Sequence, residues 1–211
     1  MKNKKHVVML NVETDVVIGP YLKKLAAKEG VIYTGSAGDE PGAVMELYSF
    51  AKAMGMNVEV MGKGKNNKLD YDCNPDTVLE EATRRVMSPK MLCAFKDGTK
   101  TMVEMTAMSN YTGLVPDVIG GHGPQTSPGT EGIKELNDIL KLKKDGGILN
   151  KHGVVEYVNG VAPGVFVTVS TPNEEIAYQM AYHSMGPGPL WTLYRPYHLC
   201  NLETPLTVAK A

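Results

Sequence analysis

The chain has 211 residues, a formal net charge of −1, 43% hydrophobic and 21% charged residues, the composition of an ordinary globular protein. The balanced charge excludes the basic excess of a nucleic-acid-binding module, and no apolar run approaches the ~20 residues of a membrane helix. Cys73, Cys93 and Cys200 lie far apart and form no C-x-x-C, which reads as reduced thiols in a cytoplasmic protein.

The N-terminus is basic, but the apolar run after it, Val7 to Leu10, is too short for a signal peptide. His6 to Leu10 predicts a buried parallel strand. Ile18 to Lys28 has helical spacing, with Ile18, Leu22, Leu25 and Ala26 on one face and Gly30 at the C-terminal cap. Val31 to Thr34 predicts a second strand, so this stretch reads as a right-handed βαβ unit. Asp39-Glu40-Pro41 opens a helix whose apolar face is Val44, Leu47, Tyr48 and Ala51. A strand from Asn57 to Met61 follows, then a lysine-rich loop. A helix starting at Asn74-Pro75 is expected to reach about Val86, with Ser88-Pro89 as a break, and another runs from Thr99 to Tyr111, closed by Gly113.

Gly120 to Gly132 is a long glycine- and proline-rich loop of the kind that is functional or mobile. A helix from Glu131 to Leu142, a turn at Asp145-Gly146-Gly147, antiparallel strands at Val154–Val158 and Val165–Thr171, and a helix from Glu174 to Met185 come next. A rigid Gly186–Pro189 loop leads towards Tyr194–Leu199, and the chain is expected to end in a helix reaching Ala211.

The segment Gly62-Lys63-Gly64-Lys65-Asn66-Asn67 stands out. Two glycines let the backbone approach a ligand closely, two lysines supply ammonium charge, and two amides both donate and accept. A strand delivering such a loop is a common anion-holding arrangement. A solvated surface turn has the same composition. No G-x-G-x-x-G turn, P-loop, H-E-x-x-H or G-x-S-x-G elbow occurs.

Five separated runs carry a resemblance. They are His6–Glu13, Ala37-Gly38-Asp39-Glu40-Pro41-Gly42, Gly62–Asn67, Pro89–Leu92 with Asp97–Met105, and Tyr194–Leu199. Together, and in this order, they resemble the catalytic domain of the 1-deoxy-D-xylulose 5-phosphate reductoisomerase-like oxidoreductases, also described as homoserine dehydrogenase-like or SAF-domain proteins. The first run is similar to the late Rossmann strand that reaches the nicotinamide. The resemblance implies an α/β fold: residues 1–36 as the tail of a Rossmann NADPH-binding domain whose glycine-rich half is missing, and residues 37–211 as an α+β catalytic domain with a mixed sheet. It implies NADPH as cofactor, held through a domain largely absent here, with a divalent metal as a further option. The expected partners are a small anionic carbonyl substrate, phosphorylated or polyhydroxy, and other copies of the chain in a homo-oligomer.

On this reading Lys63 and Lys65 supply positive charge at the reacting oxygen, and Asn66 and Asn67 orient substrate hydroxyls. Lys100 and Glu104 stand one helical turn apart, which suits either a cleft pair or a surface ion pair. Lys96 and Lys100 are expected to face one way, and Lys90 adds to the basic group. His122, in the glycine loop, is a proton donor or an exposed histidine. Arg195 and His198 are candidates for substrate binding, Arg195 as a bidentate phosphate clamp or stacked on a tyrosine. Asn11 and Glu13, at the end of a parallel strand, are candidates on the cofactor side. Asp39 and Glu40 read first as helix-capping residues, and Glu40 second as a base or metal ligand. Two rivals remain: a homoserine dehydrogenase-type enzyme, whose carboxylates would hold an ammonium beside a lysine, and a non-catalytic anion-binding or assembly module.

Overall fold

In a computed structural model describing residues 1–211, two short strands, Val7–Met9 (β1) and Tyr33–Gly35 (β2), pair in parallel across the helix Val12–Glu29 (α1). Asn11 caps α1, its Oδ1 accepting from the Thr14 N–H at 2.7 Å. Gly30 closes it with φ 65°, a left-handed cap that glycine adopts without a Cβ clash. The helix starts six residues before the expected Ile18, and its buried stripe is Val12, Asp15, Gly19 and Ala26. Ile18 is exposed. Pro20 sits inside α1 and has no N–H to give, which frees the Val16 carbonyl. Asn110 Nδ2 donates to that oxygen at 3.4 Å.

The helix Glu40–Ala53 (α2) leads to the nine-residue strand Asn57–Lys65 (β3). Leu79–Arg84 (α3), Pro89–Lys96 (α4) and Thr99–Thr112 (α5) follow. Ser88-Pro89 ends no single long helix; Pro89 instead opens α4, where its missing N–H is unneeded. After the edge strand Val115–Pro116 (β4) come Gly129–Ile139 (α6), Val154–Asn159 (β5), Val165–Ser170 (β6), Glu174–Tyr182 (α7), Trp191–Arg195 (β7) and Thr204–Lys210 (α8).

The five-stranded sheet has the order β4-β5-β3-β6-β7. β3 pairs with β5 in parallel and with β6 antiparallel, so the sheet is mixed and the fold is α/β. β5 and β6 are not neighbours: β3 lies between them. The strand at Trp191–Arg195 carries no turn-bounded alternation strong enough to predict it. It is pinned by burial of Trp191, whose indole N–H donates to the Gly186 carbonyl at 3.0 Å.

Side-chain alternation along β3 divides the core. Met61 faces α2 and α5, packing with Val44, Met105, Met108, Val155 and Val167. Val60 faces α6, packing with Leu136, Leu140, Val154, Val158 and Phe166. Full burial of each such side chain stabilises by about 1.5–3 kcal/mol. Met56, Met61, Met105 and Met108 are fully buried, as the scarcity of Phe (three, against thirteen Met) requires. No helix is long and apolar enough to cross a membrane.

Candidate active site

The lysine motif is not a loop. β3 runs through Lys65, so Lys63 and Lys65 alternate with Gly62 and Gly64 on a central strand. Both lysines therefore emerge on one sheet face, the α2/α5 face of Met61. The glycines are required by contacts on the other face. A Cβ on Gly62 would lie 2.1 Å from the Glu156 carbonyl oxygen, and one on Gly64 would lie 2.0 Å from the Val161 carbonyl oxygen.

Lys63, only 6% exposed, bridges two helices. Its Nζ donates to Glu40 Oε1 on α2 at 2.8 Å and to Glu104 Oε2 on α5. Lys100 Nζ lies 3.4 Å from the other oxygen of Glu104 and 3.7 Å from Glu13 Oε1 on α1. His198 Nε2 lies 3.4 Å from Glu40 Oε1. Lys65 is also buried, yet its Nζ has no carboxylate within ion-pair distance and donates to the Phe95 carbonyl at 2.7 Å.

These groups surround a cavity of about 290 Å³ lined by Glu40, Lys63, Lys65, Asn66, Asn67, Arg85, Lys100, Thr101, Glu104 and His198, with Gly64 and Pro163 in its wall. Four cationic side chains, Lys63, Lys65, Arg85 and Lys100, face two carboxylates there. Arg85 and Thr101 carry no pattern that marks them in the sequence; packing of α3 and α5 brings them in.

Burial and charge set the protonation states. Burial raises Glu40, but the Lys63 ammonium, a proton shared with Asp39 and the nearby His198 outweigh it and hold the carboxyl well below the usual range. Burial lifts Asp39 to about 6, helped by its hydrogen bond to Glu40. Burial lifts Glu104 to about 7, with Glu40 adding and Lys63 opposing. Burial pushes Lys63 and Lys100 down, and the surrounding carboxylates more than reverse that, so both end raised. Lys65 is lowered, by burial and by the Lys63 charge. Asp39 stands at the N-cap of α2 without a side-chain capping bond, so its carboxyl belongs to the cluster instead. Asp39, Glu40 and Glu104 each place an oxygen within 4.8 Å of the others, a hard donor set of the type that binds Mg²⁺ or Mn²⁺. The Lys63 ammonium already lies between Glu40 and Glu104, so the set does not fit a divalent ion with Lys63 in place.

The remaining candidates lie elsewhere. His122 Nε2 is 2.8 Å from Asp117 Oδ2, and its backbone N–H donates to Glu156 Oε2. Glu156 leaves β5 on the face opposite Lys63, in line with Val154 and Val158, and His122 does not line the cavity. Lys90 is exposed in the first turn of α4. Lys96 ends α4 and pairs with Glu81, while Lys100 begins a new helix beyond Gly98, so the two do not share a face. Arg195 does not line the cavity. Its Nη2 lies 2.6 Å from Glu203 Oε2, and its guanidinium stacks 4.8 Å above the Tyr197 ring, securing the segment that delivers His198. Asn11 uses its side chain to cap α1, and Glu13 reaches the cluster only at its edge, through Lys100.

A larger cavity, about 770 Å³, lies between α1, β2, α2, α5 and α8. Its buried carboxylate, Asp15, is bonded to the hydroxyls of Tyr33, at 2.5 Å, and Tyr111.

No curated protein matches the chain. A family model described as oxidoreductase DRL, catalytic domain, matches residues 38–204, a span that contains every residue lining the charged cavity. The chain therefore belongs to the DRL oxidoreductase family, of which it carries the catalytic domain.

Proposed function

We propose that the charged cavity binds a small anionic carbonyl compound, phosphorylated or polyhydroxy, for reduction by NADPH. One observation carries this reading: Lys65 is a buried ammonium without a carboxylate partner, facing the cavity beside Asn66 and Asn67. A buried charge left unpaired is costly, and an anionic ligand supplies the missing partner.

NADPH would supply the hydride. No glycine-rich turn for its pyrophosphate occurs in these residues. The part proposed for this chain is the nicotinamide side, at the carboxyl ends of β1 and β2, from which Glu13 on α1 reaches Lys100 on α5 at the edge of the cluster. Asn66, Asn67 and Thr101 hold the substrate's hydroxyls. As the carbonyl oxygen gains negative charge, the ammoniums of Lys65 and Lys63 face it in a water-poor cavity, where fixed charge lowers the barrier most. Lys65, with its lowered proton affinity, donates the proton to that oxygen.

A second reading is an amino-acid aldehyde of the homoserine dehydrogenase type, whose ammonium would stand beside Glu40 and Glu104 at the cavity wall. A panel separates the two. NADPH consumption is followed with phosphorylated and polyhydroxy aldehydes and ketones, and with aspartate semialdehyde. Turnover of phosphorylated compounds alone supports the first reading. Turnover of the semialdehyde alone supports the second, and no binding of any compound of the panel to the charged cavity, read by isothermal titration, overturns both.

A further inference from the structure

We infer that the Lys63 ammonium is the resident cation of the Asp39–Glu40–Glu104 carboxylate cage and stands where a divalent metal would otherwise bind. Three carboxylates converging from the start of α2 and the middle of α5 make a cation position by their own repulsion. In this chain that position is filled from inside. β3 delivers Lys63 between Glu40 and Glu104, bonded to both. Gly62 and Gly64 let this stretch of strand pack tightly against Glu156 and Val161, fixing where its side chains emerge. Lys100 lies on the far oxygen of Glu104 at 3.4 Å, and His198 on Glu40 at 3.4 Å.

The charge count agrees. With all three carboxylates ionised, the ammoniums of Lys63 and Lys100 leave one negative charge in excess, fewer than a divalent ion carries. A doubly charged ion added to this set would leave excess positive charge in a buried site, or would require Lys63 to withdraw through packed surroundings. The residue type also matters. An ammonium offers three donors in a tetrahedral array and no ligand atom, so Lys63 cannot serve as a metal ligand while it is protonated. Polarisation of a substrate oxygen at this end of the cavity is then the work of an ammonium. The inference concerns the resident cation only and does not depend on which substrate the cavity takes.

The test is a Mn²⁺ titration followed by the electron paramagnetic resonance signal of the free ion, with far-UV circular dichroism to confirm folding. The wild-type protein is expected to leave the Mn²⁺ signal as in buffer. The Lys63→Met variant is expected to bind one Mn²⁺ per chain, roughly tenfold or more tighter than wild type, and to lose it when Glu104→Gln is added. Should Lys63→Met not fold, Lys63→Gln supplies the same comparison. Stoichiometric Mn²⁺ binding by wild type, abolished by Glu104→Gln, would show that the lysine yields to the metal and would overturn the inference. A folded Lys63 variant that binds no Mn²⁺ would overturn it equally, because the carboxylates would then not converge on one cation position.

Discussion

Lys63 and Lys65 leave the same face of one strand and enter the same cavity, yet their partners are opposite in kind. Lys63 is held between the carboxylates of Glu40 and Glu104, whereas Lys65 has only the neutral Phe95 carbonyl. Two residues of separation divide a charge already paired with carboxylates from one that is not. The first ammonium ties α2 to α5 as well as facing the cavity, and the second has no carboxylate partner of its own.

Lys65→Met is expected to keep the fold and weaken anion affinity by roughly tenfold or more, the worth of one charged hydrogen bond at about 1.5–3 kcal/mol. Isothermal titration with inorganic phosphate and with substrate measures it. Because the Lys65 proton affinity is lowered, wild-type affinity is expected to fall as pH rises at a lower pH than for an ordinary lysine, whose pKa is about 10.4. Unchanged affinity in the variant counts against the proposed site.

Glu104→Ala is expected to destabilise the protein by about 3 kcal/mol or more. Glu104 is 1% exposed, and its removal leaves Lys63 partly uncompensated in a dry site. Urea denaturation gives the difference, and a loss under 1 kcal/mol would mean that the bridge contributes little.

The pH dependence follows from the same residue. Burial holds the Glu104 carboxyl at about 7 in the folded protein, against about 4.3 when unfolded. The folded state thus binds the proton more tightly. This stabilising contribution is complete below the unfolded value and is lost as pH rises through about 7. Glu40, held low by Lys63, acts oppositely, its contribution being lost as pH falls into the acid range. Melting temperatures across this range should therefore decline from weakly acidic to neutral pH in wild type, and this part of the slope should vanish in Glu104→Gln.

Gly64→Ala is expected to cost about 1–3 kcal/mol, the range for overpacking a filled core, since its Cβ would meet the Val161 carbonyl oxygen at 2.0 Å. Any shift of β3 moves both lysines, so phosphate affinity should fall alongside the urea midpoint. A stable variant with full affinity would mean that the strand accommodates the methyl group.

Arg195→Met tests a residue that the sequence offers as a phosphate clamp. Its donors face Glu203 and its ring partner is Tyr197. Limited proteolysis is expected to cut the segment after β7 faster, while phosphate affinity of the intact chain changes less than about threefold, under 1 kcal/mol.

Much was legible in the sequence because it rests on local chemistry. Gly30 and Gly113 mark helix ends since left-handed caps need no Cβ, and Asn57–Met61 reads as a strand by its apolar alternation. The lysine pair was visible as chemistry, but its place was not. Glycines are poor strand formers, and the contacts that admit them, from Glu156 and Val161, come from distant segments. Asp15 and Gly19 hide half of the buried stripe of α1, because apolar patterning does not count a carboxylate satisfied by two tyrosine hydroxyls.

By itself, the sequence determined which groups were available: a lysine pair flanked by glycines and amides, an acidic helix start at Asp39-Glu40, and a Lys100–Glu104 pair one turn apart. Tertiary structure decided which of them meet. Strand register sends Lys63 to one sheet face and Glu156 to the other, and Glu156 holds the His122 loop by its backbone. The packing of α2 and α5 against β3 closes Glu40 and Glu104 around a single ammonium. Charge interactions fade within ångströms unless burial removes the water between them, so local sequence supplies the charges and only the fold sets their distances.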